Sequence, residues 1–202
     1  MSTPSPLQSD GSLVTFEILS GGSPLPDSVA VLSVTVEKHL NQASVARFVM
    51  LDGDTDTATF AISSSNIFVP GGAIVINAGY DAANSLLFSG QITAQNIGVN
   101  DDSVSTLTVE CQGAVDNPAI DPTPVLAVSF GQSILTINAS LSRPDATFVV
   151  NGAVKFQGSA LAEPGKYITL AGLGDRFNGD YLMSAVVQQI QDDNWTTEVT
   201  VG

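Results

Sequence analysis

Alternation of apolar and polar residues is the main pattern along the chain. In Ser105–Cys111, the apolar residues Leu107, Val109 and Cys111 are separated by threonine and glutamate. Successive side chains of a β-strand point to opposite faces, so this spacing predicts a strand with one buried face. The segment Val29–Glu37 repeats the spacing.

In that segment, Leu32, Val34 and Val36 form the predicted buried face. The other runs of β-branched and apolar residues are bounded by Gly, Pro and Asp, which favour turns. The further predicted strands are Leu13–Leu19, Ala46–Leu51, Ala73–Ala78, Leu86–Gln95, Val125–Phe130, Ser133–Leu141, Thr147–Val150, Ala153–Phe156, Tyr167–Ala171, Tyr181–Ile190 and Thr196–Val201.

Helical periodicity is weak everywhere. No window of about 11 residues has apolar residues at helical spacing. The best short candidates are Ser63–Asn66 and Gly158–Ala162, each about one turn long. Many short strands separated by turn residues predict an all-β fold of antiparallel barrels or sandwiches, with little helix.

The two halves share an ordered set of features. Pro70-Gly71 precedes Ile74 and Ile76, as Pro164-Gly165 precedes Ile168 and Leu170. Each half then has a predicted glycine turn, at Gly90 or Gly179, and an acidic turn, at Asp101-Asp102 or Asp192-Asp193. This order indicates an internal repeat.

The repeat predicts two tandem β-domains. Their junction is expected at Asn117–Pro124, because its three prolines cannot serve a central strand. The expected organisation is a flexible N-terminal arm at 1–12, a first domain at 13–119 and a second at 120–202.

Charge excludes several classes of partner. The chain has 202 residues, with 6 Lys and Arg against 20 Asp and Glu, and a net charge of −14. So few basic side chains cannot neutralise a nucleic-acid backbone, and an anionic membrane surface would repel the chain. The N-terminus has no basic residue and no apolar core of a signal peptide. We therefore expect that the chain binds neither nucleic acid nor membranes.

Nucleophilic and acid–base chemistry has few candidates. Cys111 falls on the apolar face of its strand, which favours a small core residue over a nucleophile. His39, the only histidine, follows a strand in a polar stretch, which favours a surface or interface position over a catalytic base.

Acidic clusters offer no clear metal site. Asp52-Gly53-Asp54-Thr55-Asp56 places carboxylates at alternate positions, but Thr57 and Ser63 stand where a calcium loop needs glycine and glutamate. An acidic surface turn is the favoured interpretation. Asp101-Asp102 and Asp192-Asp193 are interpreted as hairpin turns instead of a carboxylate pair.

Three further motifs carry little chemistry. Gly172-Leu173-Gly174 lacks the rest of a dinucleotide-binding fingerprint. Asn138-Ala139-Ser140 and Asn194-Trp195-Thr196 match the glycosylation sequon, which means little without a secretion signal. Trp195 is interpreted as a packing residue or an interface anchor. The sequence therefore predicts no catalytic, cofactor-binding or metal-binding residues and no enzymatic activity.

Several segments resemble the VgrG-like and phage late-control-D family. The opening resemblance covers Phe16–Leu19 and Val31–Asn41, and it continues through Ala46–Asp54, Phe68–Gly71 and Ala78–Asp81. The most specific match is Val154–Gly165, continued through Ala171–Gly179 and Asn194–Val199.

This resemblance implies a structural hub of a contractile injection machine. Members of the family contain two tube-like β-barrel domains per chain, and three chains form a ring with pseudo-sixfold symmetry. That ring joins a hexameric inner tube to a trimeric spike. The resemblance also implies assembly in the bacterial cytoplasm and contact with spike-tip and baseplate proteins. It leaves open a phage tail, a type VI secretion system or an extracellular injection particle.

The chain departs from the family pattern in length. It ends at Gly202, where family members continue into an OB-fold and a spike, and it lacks long segments expected after about Ala119 and Asp145. A trimmed or partial chain is favoured over a minimal hub. The alternative function is a β-sandwich binding module, an adhesin or carbohydrate binder, although the 6% aromatic content is thin for that role.

Overall fold

The computed structural model describes residues 3–8, 11–54, 57, 59–100, 104–115, 117–143 and 149–202. These residues form strands, turns and irregular segments, and none lies in a helix. The prediction of an all-β fold with little helix is confirmed. None of the described residues belongs to a helix long and apolar enough to cross a membrane.

Strands make up most of the described chain. They are β1 (Val14–Ser20), β2 (Ser23–Pro24), β3 (Val31–His39), β4 (Ala43–Leu51), β5 (Ala73–Tyr80), β6 (Ala83–Val99), β7 (Ser105–Val115), β8 (Pro124–Ser129), β9 (Ile134–Ser142), β10 (Val149–Gln157), β11 (Tyr167–Ala171), β12 (Gly179–Gln191) and β13 (Asn194–Val201).

The internal repeat is visible in the order of the strands. In the first half, neighbouring strands follow the order β1-β5-β6-β7-β4-β3. In the second half the order is β8-β11-β12-β13-β10-β9. Each position in one half therefore has a counterpart in the other. The domain boundaries at 119/120 and the flexible arm at 1–12 stay predictions.

A pair of hydrogen bonds repeats at equivalent places. The N–H of Gly71 donates to the carbonyl of Ile92, and the N–H of Gly165 donates to the carbonyl of Met183, at 2.8 and 2.9 Å. The amides of Ile92 and Met183 donate back to the residues that follow the two glycines, at 2.9 and 2.8 Å. Both glycines have positive φ, 89° and 86°, which explains why Gly stands at this turn in each half.

A β-bulge also repeats. In β3, Leu32 is the extra residue between Val31 and Ser33, and it is exposed. In β9, the exposed Leu135 is the extra residue in the same way. The prediction that Leu32 shares a buried face with Val34 is therefore wrong, because the bulge breaks the alternation at that residue.

Two features of the pairing differ from the predicted pattern. β8 pairs with β11 in parallel, whereas the expectation was antiparallel throughout. Val149–Gln157 is one strand, so the predicted break between Val150 and Ala153 is wrong. Of that prediction, Thr147 and Phe148 lie outside the described residues.

The turn expected at Gly90 is also misplaced. Gly90 lies inside β6, where a Cβ would stand 2.4 Å from the carbonyl oxygen of Gln112. Glycine is therefore needed for a close strand approach. The hairpin turn is formed by Asp81 and Ala82, both with positive φ, as a two-residue turn between β5 and β6 requires.

Apolar side chains form two core clusters. The first contains mainly residues of β3 to β7, together with Ile190 and Trp195 from the second half. The second contains residues of β8 and β10 to β13. The second half therefore reaches into the first core through the β12–β13 hairpin.

The N-terminal segment touches the second half. The carbonyl of Pro4 accepts the N–H of Ala127 at 2.9 Å, and the N–H of Gln8 donates to Oε1 of Gln157 at 3.2 Å. Pro6 is buried.

Candidate interaction surfaces

The two halves are joined by a strand pair. Ser33–His39 of β3 pairs antiparallel with Ala185–Gln191 of β12, with Val34 opposite Ile190 and Val36 opposite Gln188. On the same edge of β12, the preceding residues Gly179–Leu182 pair with β11. One strand therefore continues from the second half's own sheet into the first half's sheet.

A buried polar network lies at this junction. Oε1 of Gln188 accepts the indole N–H of Trp195 at 2.8 Å and the hydroxyl of Thr197 at 2.6 Å. Nε2 of Gln188 donates to the carbonyl of Ser159 at 2.9 Å, and the N–H of Ser159 donates to Oγ1 of Thr197 at 2.9 Å. All four side chains are buried, and the network satisfies their polar groups.

The indole of Trp195 connects the halves directly. It stacks on Tyr80 of the first half, with ring centroids 5.3 Å apart. Gly158 makes room for it, because a Cβ at Gly158 would stand 2.0 Å from the indole ring. The interpretation of Trp195 as a packing residue fits this position between the halves.

An ion pair crosses the same junction. Nζ of Lys38 lies 2.6 Å from Oε1 of Glu163, and both side chains are partly exposed. His39, the neighbouring residue, is half-buried at the end of β3 and pairs with Ala185 across the junction. An interface position for His39 agrees with the sequence-based interpretation.

Cys111 is a core residue. It is fully buried in the first cluster, and burial raises the pKa of its thiol to about 12. A thiol with this pKa contains almost no thiolate near neutral pH, so it is a poor nucleophile. The prediction of a small buried core residue is confirmed.

Asp52 differs from the predicted surface turn. It is buried, and its carboxylate accepts the N–H groups of Gly53, Ile62 and Ser63 at 2.8–3.0 Å. Burial raises the pKa of this carboxyl, but these hydrogen bonds outweigh it, and the net pKa lies below the usual value of 3.8. Asp52 therefore holds the loop after β4, while Asp54 is exposed.

The structure describes one of the two predicted acidic hairpin turns. Asp192 and Asp193 have positive φ and form the two-residue turn between β12 and β13, which confirms the hairpin prediction. Residues 55–56 and the pair Asp101-Asp102 lie outside the described residues. Across the described residues, no group of three or more His, Cys, Asp or Glu could hold a metal ion.

Two strand edges stand out as unpaired. Within the described chain, β9 pairs only with β10, and the Ala94–Val99 part of β6 pairs only with β7. Ile97 and Val99 on that part of β6 are more than half exposed. Unpaired strand edges present N–H and C=O groups that can bind another strand.

Sequence reasoning missed the residues that matter most here. Alternation places Gln188 on the buried face of β12 between Val186 and Ile190, but no local pattern indicates the partners, Ser159 and Trp195, that satisfy its amide there. The unpaired edges could not be located from the sequence, although Ile134–Ser142 and Ala94–Val99 lack the charged residues that exposed edges usually carry.

Solved structures with the same fold include two tail proteins. One is a 43 kDa tail protein of prophage MuSo2 from Shewanella oneidensis, with a TM-score of 0.65, 8% identity and coverage of 95% of this chain and 97% of that chain. Another is a tail protein from Neisseria meningitidis MC58, with a TM-score of 0.63, 8% identity and coverage of 93% and 96%.

A third similar structure is the c3393 protein of E. coli. It is described as a type VI secretion component with structural similarity to the T4 bacteriophage tail proteins gp27 and gp5. Its TM-score is 0.58 at 12% identity, with coverage of 92% of this chain and 76% of that chain. At these identities, the three likenesses establish a shared fold.

A search of curated proteins finds no match to the sequence. A family model described as the Alg8 N-terminal domain matches residues 10–115 and 146–192, which together are most of the chain and include strands of both halves. The chain therefore belongs to the Alg8 N-terminal domain family.

Proposed function

We propose that the chain is a structural hub of a contractile injection machine. In this proposal three copies close into a ring with pseudo-sixfold symmetry, and the ring joins a hexameric inner tube to a trimeric spike. The proposal assigns no catalytic step, cofactor or metal to this chain.

The observation that carries the proposal is the strand-by-strand repeat. Two halves with the same order of six strands supply two similar units per chain, so three chains supply six. A ring of six similar units matches a hexameric tube on one side, while three chains match a trimeric spike on the other. The VgrG-like sequence resemblance described above supports the same arrangement.

The comparisons support the part of the proposal that concerns the kind of assembly to which the chain belongs. The three similar structures are described as phage tail proteins and a type VI secretion component. A place in a phage tail or an injection particle is therefore part of the proposal, as is assembly with tube and spike proteins.

Native mass spectrometry of the purified protein, alone and with the tube protein of the same system, tests the function. The expected result is a complex of three chains that binds one tube hexamer. A stable monomer that never joins tube subunits would contradict the proposal. Glycan-array binding by such a monomer would favour the alternative of a carbohydrate-binding module.

A further inference from the structure

The two halves can be aligned residue by residue at their bulges. In β3 the bulge precedes Val34, which lies opposite Phe48, and in β9 it precedes Ile137, which lies opposite Val154. Phe48 and Val154 lie in turn opposite Val109 and Val199 of the last strand in each half. Val34 and Ile137 are therefore equivalent.

The long strands β6 and β12 align in the same way. Each has a register shift against its following strand, between Ile92 and Ala94 in β6 and between Met183 and Ala185 in β12. Val99 lies five residues after Ala94, and Ile190 lies five residues after Ala185. The counterpart of Ile190 is therefore Val99, and the counterpart of Gln188 is Ile97.

Where first and second halves alternate around a ring, two kinds of junction join them. One of these junctions is formed within the chain. There, β3 of the first half pairs with the later part of β12 in the second half. The other junction would pair β9, the counterpart of β3, with the later part of β6, the counterpart of β12. Both of these strands have an unpaired edge among the described residues.

Exposure differs at equivalent positions as this second junction requires. Gln188 and Ile190 are 3% and 4% exposed at the formed junction. Ile97 and Val99 are 52% and 63% exposed at the unformed one. Apolar side chains stand exposed where their counterparts are buried, so covering them would remove apolar surface from water.

The two edges also lack the usual protection against pairing. Neither Ile134–Ser142 nor Ala94–Val99 contains a charged residue. Exposed edge strands normally carry Lys, other charges or Pro that oppose association with another strand. In contrast, β3 carries Glu37 and Lys38, and its pairing edge is filled within the chain.

We infer that β9 of one copy pairs antiparallel with the Ala94–Val99 part of β6 in a second copy. The register follows from the intrachain junction, in which Val34 lies opposite Ile190 and Val36 opposite Gln188. It places Ile137 opposite Val99. In the same register, Ala139 lies opposite Ile97 of the neighbouring copy.

This contact is head-to-tail, because each copy offers two different edges. Such contacts close into rings when the rotation between copies allows it. The inference rests on the proposed function for the number of copies, three, and adds the strands and the register by which they join. Within one chain β9 and the later part of β6 do not pair with each other, so a second copy is the occupant of each edge.

Disulfide trapping between two single-cysteine variants tests the register. Val99→Cys and Ile137→Cys chains are mixed, allowed to exchange subunits and oxidised. Cα atoms of opposite residues in an antiparallel pair are about 4.5–5.5 Å apart, within the range that a disulfide spans. The native Cys111 is buried and stays in place.

The matched control is a mixture of Val99→Cys with Asn138→Cys. A shift of one residue moves the cysteine to the opposite face of β9. We expect about tenfold more covalent dimer from the in-register mixture than from the control, and none from either variant alone. Equal yields would overturn the register.

The native mass of each mixture is measured before oxidation. A trimer that yields no in-register disulfide would overturn the β9–β6 pairing and leave the proposed ring standing. A monomer at every concentration would overturn the proposed function, and the pairing with it. A trimer with the expected disulfide supports both.

Discussion

Gln188 accepts the indole N–H of Trp195 at 2.8 Å, inside the junction between the two halves. The same oxygen of Gln188 accepts the hydroxyl of Thr197, and its amide nitrogen donates to Ser159. One side chain therefore satisfies three buried polar groups of the second half, and Gln188 itself lies on the strand that pairs with the first half.

Gln188→Ala should destabilise the protein strongly. The substitution removes one hydrogen bond each from the Trp195 N–H, the Thr197 hydroxyl and the Ser159 carbonyl. Because these groups stay buried, we expect the free energy of unfolding to fall by about 3 kcal/mol in total. Urea unfolding followed by circular dichroism measures the loss. Gln189→Ala is the control, because Gln189 is exposed next to it in the same strand and should change the free energy of unfolding by less than about 0.5 kcal/mol. Equal effects of the two variants would contradict the role of the network.

Gly158→Ala should displace the indole of Trp195. The added methyl group would stand 2.0 Å from the indole ring, so the indole must leave its place on Tyr80. Trp195 is the only tryptophan in the sequence, so the emission wavelength of fluorescence reports its environment directly. We expect a red shift in this variant.

The control for that shift is Gly98→Ala, also a glycine in an extended segment. Its Cβ would stand 3.4 Å from the hydroxyl oxygen of Thr106, a tolerable contact. The emission of this variant should match the parent protein. Unchanged emission from Gly158→Ala would show that the indole is placed differently.

Cys111 should resist thiol reagents in the folded protein. Its thiol is buried, so a reagent cannot reach it. Its pKa is about 12, so almost no thiolate is present near neutral pH. Ellman's reagent should detect no thiol in native buffer and one per chain in denaturant. A Ser23→Cys variant adds an exposed thiol that should react at once in the folded state. Rapid native reaction of Cys111 would contradict its burial.

Neutralising Asp52 should lower the free energy of unfolding near neutral pH. It should also make that free energy less dependent on pH in the acid range. The pKa of Asp52 is lowered in the folded state, so the ionised carboxylate stabilises the fold above the unfolded value of about 3.8. This contribution falls as pH drops below that value, through the lower folded pKa. Asp52→Asn removes it, at a cost of about 1–3 kcal/mol near pH 7.

Thermal unfolding of Asp52→Asn and the parent from pH 7 to pH 3 measures the effect. The gap between them should narrow as the pH falls below about 4, because the parent loses what the variant already lacks. Asp27→Asn neutralises an exposed carboxylate as a control and should leave the stability curve nearly unchanged. A difference in stability that widens towards low pH would contradict a lowered pKa of Asp52 in the folded state.

Local patterns predicted most strands, because period-two alternation reflects burial of one face directly. Tyr167–Ala171 has the predicted bounds, and the Asp192-Asp193 turn lies where two aspartates can adopt positive φ. The Asp81-Ala82 turn was missed because Ala rarely adopts positive φ, and Gly90 was mistaken for a turn because its need for glycine comes from Gln112, a distant residue.

Long-range relationships were less accessible from the sequence. The repeat could be recognised from Pro70-Gly71 and Pro164-Gly165, since both glycines close the same hydrogen-bonded turn. The parallel pairing of β8 with β11 and the burial of Gln188 depend on which segments meet in space. The exposure of Ile97 and Val99 indicates an interface only when it is compared with the burial of their counterparts, Gln188 and Ile190.

The central claim is that copies of this chain join head-to-tail into a ring of six similar units. Electron microscopy of the purified protein with two-dimensional averaging tests this most directly. The account predicts a closed ring of three chains whose six units look alike, with β-sheet continuous across the boundaries between chains. Isolated two-unit particles, or pairs related by a twofold axis, would contradict it.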